Sequence, residues 1–140
     1  MTTDQASANG DLPPTSELRQ KGMDTMAKVY GFEMQDGPGD FYAYLTEHLF
    51  ADVWNREGLN FRDRRLLIFG VLAATGQIDV AEIQAGAALA NGELTGDELL
   101  EIALFLCYYV GWPQGSRMNM MFGSVIKKHE AKLAKQKKTT

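Results

Sequence analysis

Apolar residues recur along this chain at helical spacing, and no stretch alternates with the two-residue period of a half-buried strand. That single property limits the fold to helices packed on helices. The pattern predicts a first helix over 18–30. The segment 31–40 holds three glycines and Pro38 and reads as a loop. Over 41–54 the stripe Phe41, Tyr44, Leu45, His48, Leu49, Val53 predicts an aromatic-rich helix that Gly58 ends. Asn60 is the N-cap of the next helix, with Asp63 near N3. From 66 to 74 that helix is apolar on nearly every side, the mark of a helix buried all round, within the chain or at a subunit contact. Gly76 breaks it. Asp79 and Glu82 look like a capping-box start for a helix through Asn91, and Gly92 stops that one. Thr95 and Glu98 form a T-x-x-E capping box for a helix through Val110. Gly111 and Pro113 terminate it, and Ser116 begins a last helix with Met118, Met121, Phe122, Val125 and Ile126. The expected fold is all-α, a compact multi-helix antiparallel bundle. Two strongly apolar helices in so short a chain make a homo-oligomer the economical reading.

The 140 residues suit one domain, organised as a disordered polar lead over 1–16, a helical domain over 17–128 and a basic tail over 129–140. No apolar run reaches the ~18–20 residues of a membrane span, and the polar start carries no apolar signal segment. With one cysteine, Cys107, no internal disulfide can form, so the expected location is cytoplasmic with no membrane partner. Net charge is −4. From Lys127 to the end, six lysines and one glutamate give +5, leaving −9 on the remainder. An acidic body argues against nucleic acid as a partner. The basic end is simplest as a solvated helix terminus, where cations suit the dipole.

Four stretches share an order and spacing. Val53-Trp54-Asn55-Arg56-Glu57-Gly58-Leu59 is similar to a V-W-x-R-x-G-L turn, and Arg62-Asp63-Arg64-Arg65-Leu66 to an R-x-R-x-L helix start. Ala87-Ala88-Leu89-Ala90-Asn91-Gly92 is similar to A-L-x-x-G. Thr95, Glu98, Glu101, Tyr109, Gly111 and Pro113 are similar to T-x-x-E-x-x-E followed by Y-x-G-x-P. Together, over about 40–127, they resemble the carboxymuconolactone decarboxylase family, which includes alkylhydroperoxidase-like proteins. The resemblance implies an all-α fold assembled as trimers or hexamers, with the site near subunit contacts. The departures matter as much. Family decarboxylases usually carry a histidine five residues before the leucine of A-L-x-x-G, and here that position is Gln84. The peroxidase branch carries C-x-x-C, and the aligned residues are Gln77 and Val80. Cys107 lies on another helix and is no replacement, because disulfide cycling needs a second thiol nearby.

Gln84 cannot act as an acid or base near neutral pH, but it can orient a carbonyl or a water, or satisfy buried backbone groups. Arg62, Arg64 and Arg65 oppose the dipole of the helix they begin, so a compensating anion is expected. For Arg62 and Arg65 a structural pair with Glu98 or Glu101 is favoured. Arg64 matches the family arginine and is the candidate for holding a substrate carboxylate. His48 lies on an apolar stripe, which suits a core or interface histidine. With Glu47 it is also the candidate for moving a proton, since the other histidine, His129, is in the basic tail. Trp54, Tyr109 and Trp112 are candidates for a pocket wall against a flat ligand, with core packing the alternative. Nothing has metal-ligand spacing, and no phosphate loop or G-x-S-x-G appears, so no metal, nucleotide or flavin cofactor is expected. The resemblance implies a divergent, cofactor-independent lyase acting on a small carboxylate, lactone or related cyclic compound. The alternative is a non-catalytic ligand-binding or scaffold oligomer. Hydroperoxide reduction is the poorest fit.

Overall fold

The computed structural model describes residues 16–139. The expected lead therefore lies, but for Ser16, outside the described residues. Among those described, every regular element is helical: α1 (Glu17–Tyr30), α2 (Asp40–Ala43), a π-helical stretch (Tyr44–Phe50), a 3₁₀ turn (Val53–Asn55), α3 (Phe61–Ala74), α4 (Ile78–Ala90), α5 (Gly96–Val110) and α6 (Trp112–Lys138). No helix among them is long and apolar enough to cross a membrane. The described residues divide into two compact units, 16–27 with 33–56, and 28–32 with 57–139.

In the first unit the backbone of α1 approaches the π-helical stretch closely. A Cβ on Gly22 would overlap the carbonyl of Thr46, so only glycine fits there. Phe50 and Trp54 stack with centroids 6.1 Å apart and are buried. The Asn55 amide donates to the carbonyls of Phe50 and Ala51 and to Thr25 Oγ1, tying the end of the π-helical stretch to α1.

The second unit has the main core. Phe69 and Ala73 of α3, Leu99 and Ala103 of α5, and Met118 and Phe122 of α6 surround the alanine-rich face of α4. Phe69 and Phe122 meet edge to face at 5.3 Å. Alanine at 81, 85 and 88 leaves room for neighbouring helices to come close. Helices α5 and α6 run antiparallel: Gly115 abuts Cys107 at one end, and Gly96 abuts Ile126 at the other. The single residue joining them, Gly111, has φ +97, a conformation that side chains other than glycine rarely adopt.

Asn60 caps α3 by accepting from the Asp63 N–H at 2.8 Å, and Thr95 with Glu98 closes the capping box of α5, both as expected. Of the two alternatives for α3, burial all round within the chain does not hold, because Leu67 and Val71 lie exposed on its outer face. Three expectations need correction. Helix α4 starts at Ile78 behind Gln77, with no side-chain cap, so Asp79 and Glu82 do not form a capping box. Helix α6 starts at Trp112 rather than Ser116, since proline is accommodated in the first turn. The expected single helix over 41–54 is instead α2, the π-helical stretch and the 3₁₀ turn.

Candidate functional site

The first turns of α3 carry three arginines, and the helix aims each differently. Arg62 faces outward and pairs with Glu98 at 2.5 Å, as expected. That hydrogen bond from the guanidinium holds the Glu98 carboxyl below its usual range. Arg65 turns inward and is 0% exposed. Its partner is not Glu98 or Glu101 but Glu93, in the loop between α4 and α5. Nε and Nη2 donate to the two Glu93 oxygens at 2.9 and 3.0 Å. Nη1 donates to the Val29 carbonyl and to Gln84 Oε1. Glu93 Oε1 also accepts from Asn91, whose amide reaches the Lys28 carbonyl at 2.7 Å. Glu98 sits at the surface start of α5, whereas the buried guanidinium needed an acceptor that follows α4 inward.

Gln84 is buried and belongs to this network. Its oxygen is engaged by a cation that never loses its charge, so the cluster holds fixed dipoles rather than a transferable proton. Arg64, the arginine of the family motif, is half-buried on α3. Gln77 is exposed and Val80 half-buried, so no thiol stands at either position, while Cys107 is buried against α6.

The other candidates sit in different surroundings. In the first unit, Arg19 forms a two-pronged pair with Asp36 at 2.8 Å and also donates to the Gly37 carbonyl. Its more distant contact, at 3.5 Å, is Glu47. His48 is 67% exposed at its side chain, with Nδ1 3.8 Å from Asp52. Its expected place on a buried stripe fails for a physical reason. The Ala51 N–H donates to the Thr46 carbonyl five residues back, and that wider turn rotates the buried positions onto Thr46 and Phe50. Trp54 is buried against Phe50. In the second unit, Tyr109 and Trp112 stand on an exposed row with Leu104, Phe105 and Tyr108. Tyr109 contacts Phe105 at 4.9 Å, and Trp112 meets Tyr108 at 5.5 Å.

A cavity of about 500 Å³ lies in the second unit between α4, the later turns of α6 and residues 30–32. None of Glu47, His48, Trp54, Arg64, Gln84, Tyr109 or Trp112 lines it. Two features escaped the sequence reading: Glu93 as the buried partner, and this cavity. A signal for the cavity was present, since the apolar period of α6 continues past Ile126 to Leu133 with lysines interleaved.

The model of the carboxymuconolactone decarboxylase family matches residues 39–118 of the chain. A 4-carboxymuconolactone decarboxylase of Acinetobacter baylyi is 32% identical over 94 residues, which cover 67% of this chain and 69% of that protein. No solved structure matches the chain.

Proposed function

Because the chain belongs to the carboxymuconolactone decarboxylase family, we propose that it is a divergent, cofactor-independent lyase acting on a small carboxylate, lactone or related cyclic compound. The observation that carries this reading is the 32% identity to a decarboxylase over 69% of that relative's length. Loss of carbon dioxide leaves an electron pair on carbon, so such a site needs a cation for the acid, a polar group beside the electron sink and a proton source. Arg64 takes the first role, as the arginine of the shared R-x-R-x-L start. Gln84 takes the second, as a neutral group held in one orientation by Arg65. His48 or Glu47 takes the third, and Trp54, Tyr109 and Trp112 supply flat apolar surface. The working form is a homo-oligomer, supported by the exposed aromatic row of α5. One observation favours a second reading, a ligand-binding or scaffold oligomer: the oxygen of Gln84, where family decarboxylases usually carry histidine, is already taken by a buried structural pair.

The test is carbon dioxide release from 4-carboxymuconolactone and from a panel of related cyclic acids. The expected result is turnover of a panel member by the wild type, with Arg64→Ala raising KM about tenfold or more, the loss of one charge-assisted contact. Gln84→His should leave carboxymuconolactone near background. An imidazole without tuned surroundings is a poor catalyst, and here it also disturbs an acceptor of Arg65. No turnover of any panel member leaves the scaffold reading. Strong carboxymuconolactone activity in Gln84→His alone would mean the site is a decarboxylase site lacking one group.

A further inference from the structure

The cavity beside α6 has a chemistry of its own. Its floor is flat, because α4 presents Gly86, Ala87 and Ala90 there. Its walls are Phe32, Ile83 and Leu133, large apolar side chains that remain 50%, 38% and 44% exposed. Its charged groups lie along one edge. Lys128 is paired with Glu82 at 3.4 Å. His129 and Lys132, three residues apart on the same face of α6, form no ion pair among the described residues. Two lysines and one glutamate give the edge a net +1 before His129 is counted.

We propose that this cavity binds an aromatic monocarboxylate, its ring flat against Gly86, Ala87 and Ala90 and its carboxylate directed to Lys132 and His129. The volume is within the range of small-molecule sites. A planar ring suits a floor without protruding side chains and covers the exposed parts of Phe32, Ile83 and Leu133. One negative charge matches the edge. A neutral ligand leaves Lys132 unmatched beside newly desolvated surface, and a polyanion meets the Glu82 carboxylate. The residues given roles in decarboxylation do not line this cavity, so the site stands or falls independently of that activity.

Titration calorimetry of the full chain with 2-naphthoate, and with 2-naphthamide as its uncharged counterpart, tests the proposal. The expected result is saturable one-to-one binding of naphthoate with Kd below about 1 mM, and at least tenfold weaker binding of the amide. Lys132→Gln should weaken naphthoate about tenfold and leave the amide unchanged. Gly86→Leu should abolish binding of both. A Cβ at Gly86 meets nothing within 4 Å, and leucine favours helix more than glycine, so this variant fills the cavity while keeping the fold, which circular dichroism would verify. Lys127→Gln, on α6 but outside the cavity, is the control and should bind as the wild type does. The proposal is overturned by absence of saturable binding below 1 mM, by equal affinity for acid and amide, or by full binding in folded Gly86→Leu. A loss in Lys127→Gln equal to that in Lys132→Gln overturns it too.

Discussion

Arg65 reaches Glu93, Gln84 and the Val29 carbonyl from a position with none of its surface exposed. A guanidinium is tolerated there because acceptors surround it, and the Glu93 side chain is itself only 8% exposed. The pair therefore has an asymmetric response to mutation. Arg65→Met removes the cation and strands a buried carboxylate, which should destabilise the chain by about 3–5 kcal/mol. Arg65→Met combined with Glu93→Leu removes both charges and should recover most of that loss, since buried pairs replaced by apolar groups are often neutral. Urea denaturation of the wild type and both variants measures it. A single variant within about 1 kcal/mol of the wild type would sink this account of the network, as would a double variant less stable than the single. That Arg65 would take a structural partner was legible in the sequence, because its charge opposes the α3 dipole; its complete burial was not. The partner's identity was not. Spacing along α5 points to Glu98 and Glu101, whereas burial selects a loop residue whose position depends on how α4 ends.

At the scale of elements, local signals set the starts of α3 and α5, where Asn60 and Thr95 satisfy orphan N–H groups. They fail over 44–50, because the i→i+5 pattern has no sequence cap and shifts the apolar phase. That shift turns His48 outward and Thr46 inward, which no 3.6-residue count could locate. The loop 31–40 was placed by its glycines to within one residue, α2 starting at Asp40, but its anchor to α1, the Arg19–Asp36 pair, joins residues seventeen apart and leaves no periodic trace. The pair makes a pH prediction. The hydrogen bond from Arg19 holds the Asp36 carboxyl below its ordinary range. A lowered folded-state value contributes stability that is complete above the unfolded value, about 4, and fades as pH falls through the folded one. Thermal midpoints should therefore drop, as pH falls below about 4, by more in the wild type than in Asp36→Asn, whose midpoint should already be lower at pH 7. Identical acid profiles for the two proteins would show that the pair contributes nothing to this loss.

For the whole molecule, the decisive feature is what the chain leaves uncovered. On α5, Leu104, Phe105, Tyr108 and Tyr109 are 49% to 74% exposed, and Trp112, the first residue of α6, lies exposed against Tyr108. Residues 104, 105, 108 and 109 are spaced to share one side of α5, opposite the buried Leu99, Ala103 and Cys107. So wide an aromatic row is rare on a surface that faces only water, and aromatic side chains are the commonest anchors where protein surfaces meet. Leu67 and Val71 on α3 add exposed apolar surface in the same unit. A second copy of the chain is the cover we expect, because the family resemblance implies trimers or hexamers. Size-exclusion chromatography with light scattering at about 10 µM should give a mass near three or six times the 15.5 kDa of one chain. Phe105→Glu with Tyr109→Glu puts two carboxylates into the centre of the row without touching a buried residue. Desolvating both charges at a contact should cost several kcal/mol, enough to shift assembly by a hundredfold or more and leave folded monomers at the same concentration. Circular dichroism unchanged from the wild type would show that the helices survive in those monomers. A wild type that scatters as a clean monomer at 10 µM, or a double variant that assembles as the wild type does, would remove the α5 row as the subunit contact.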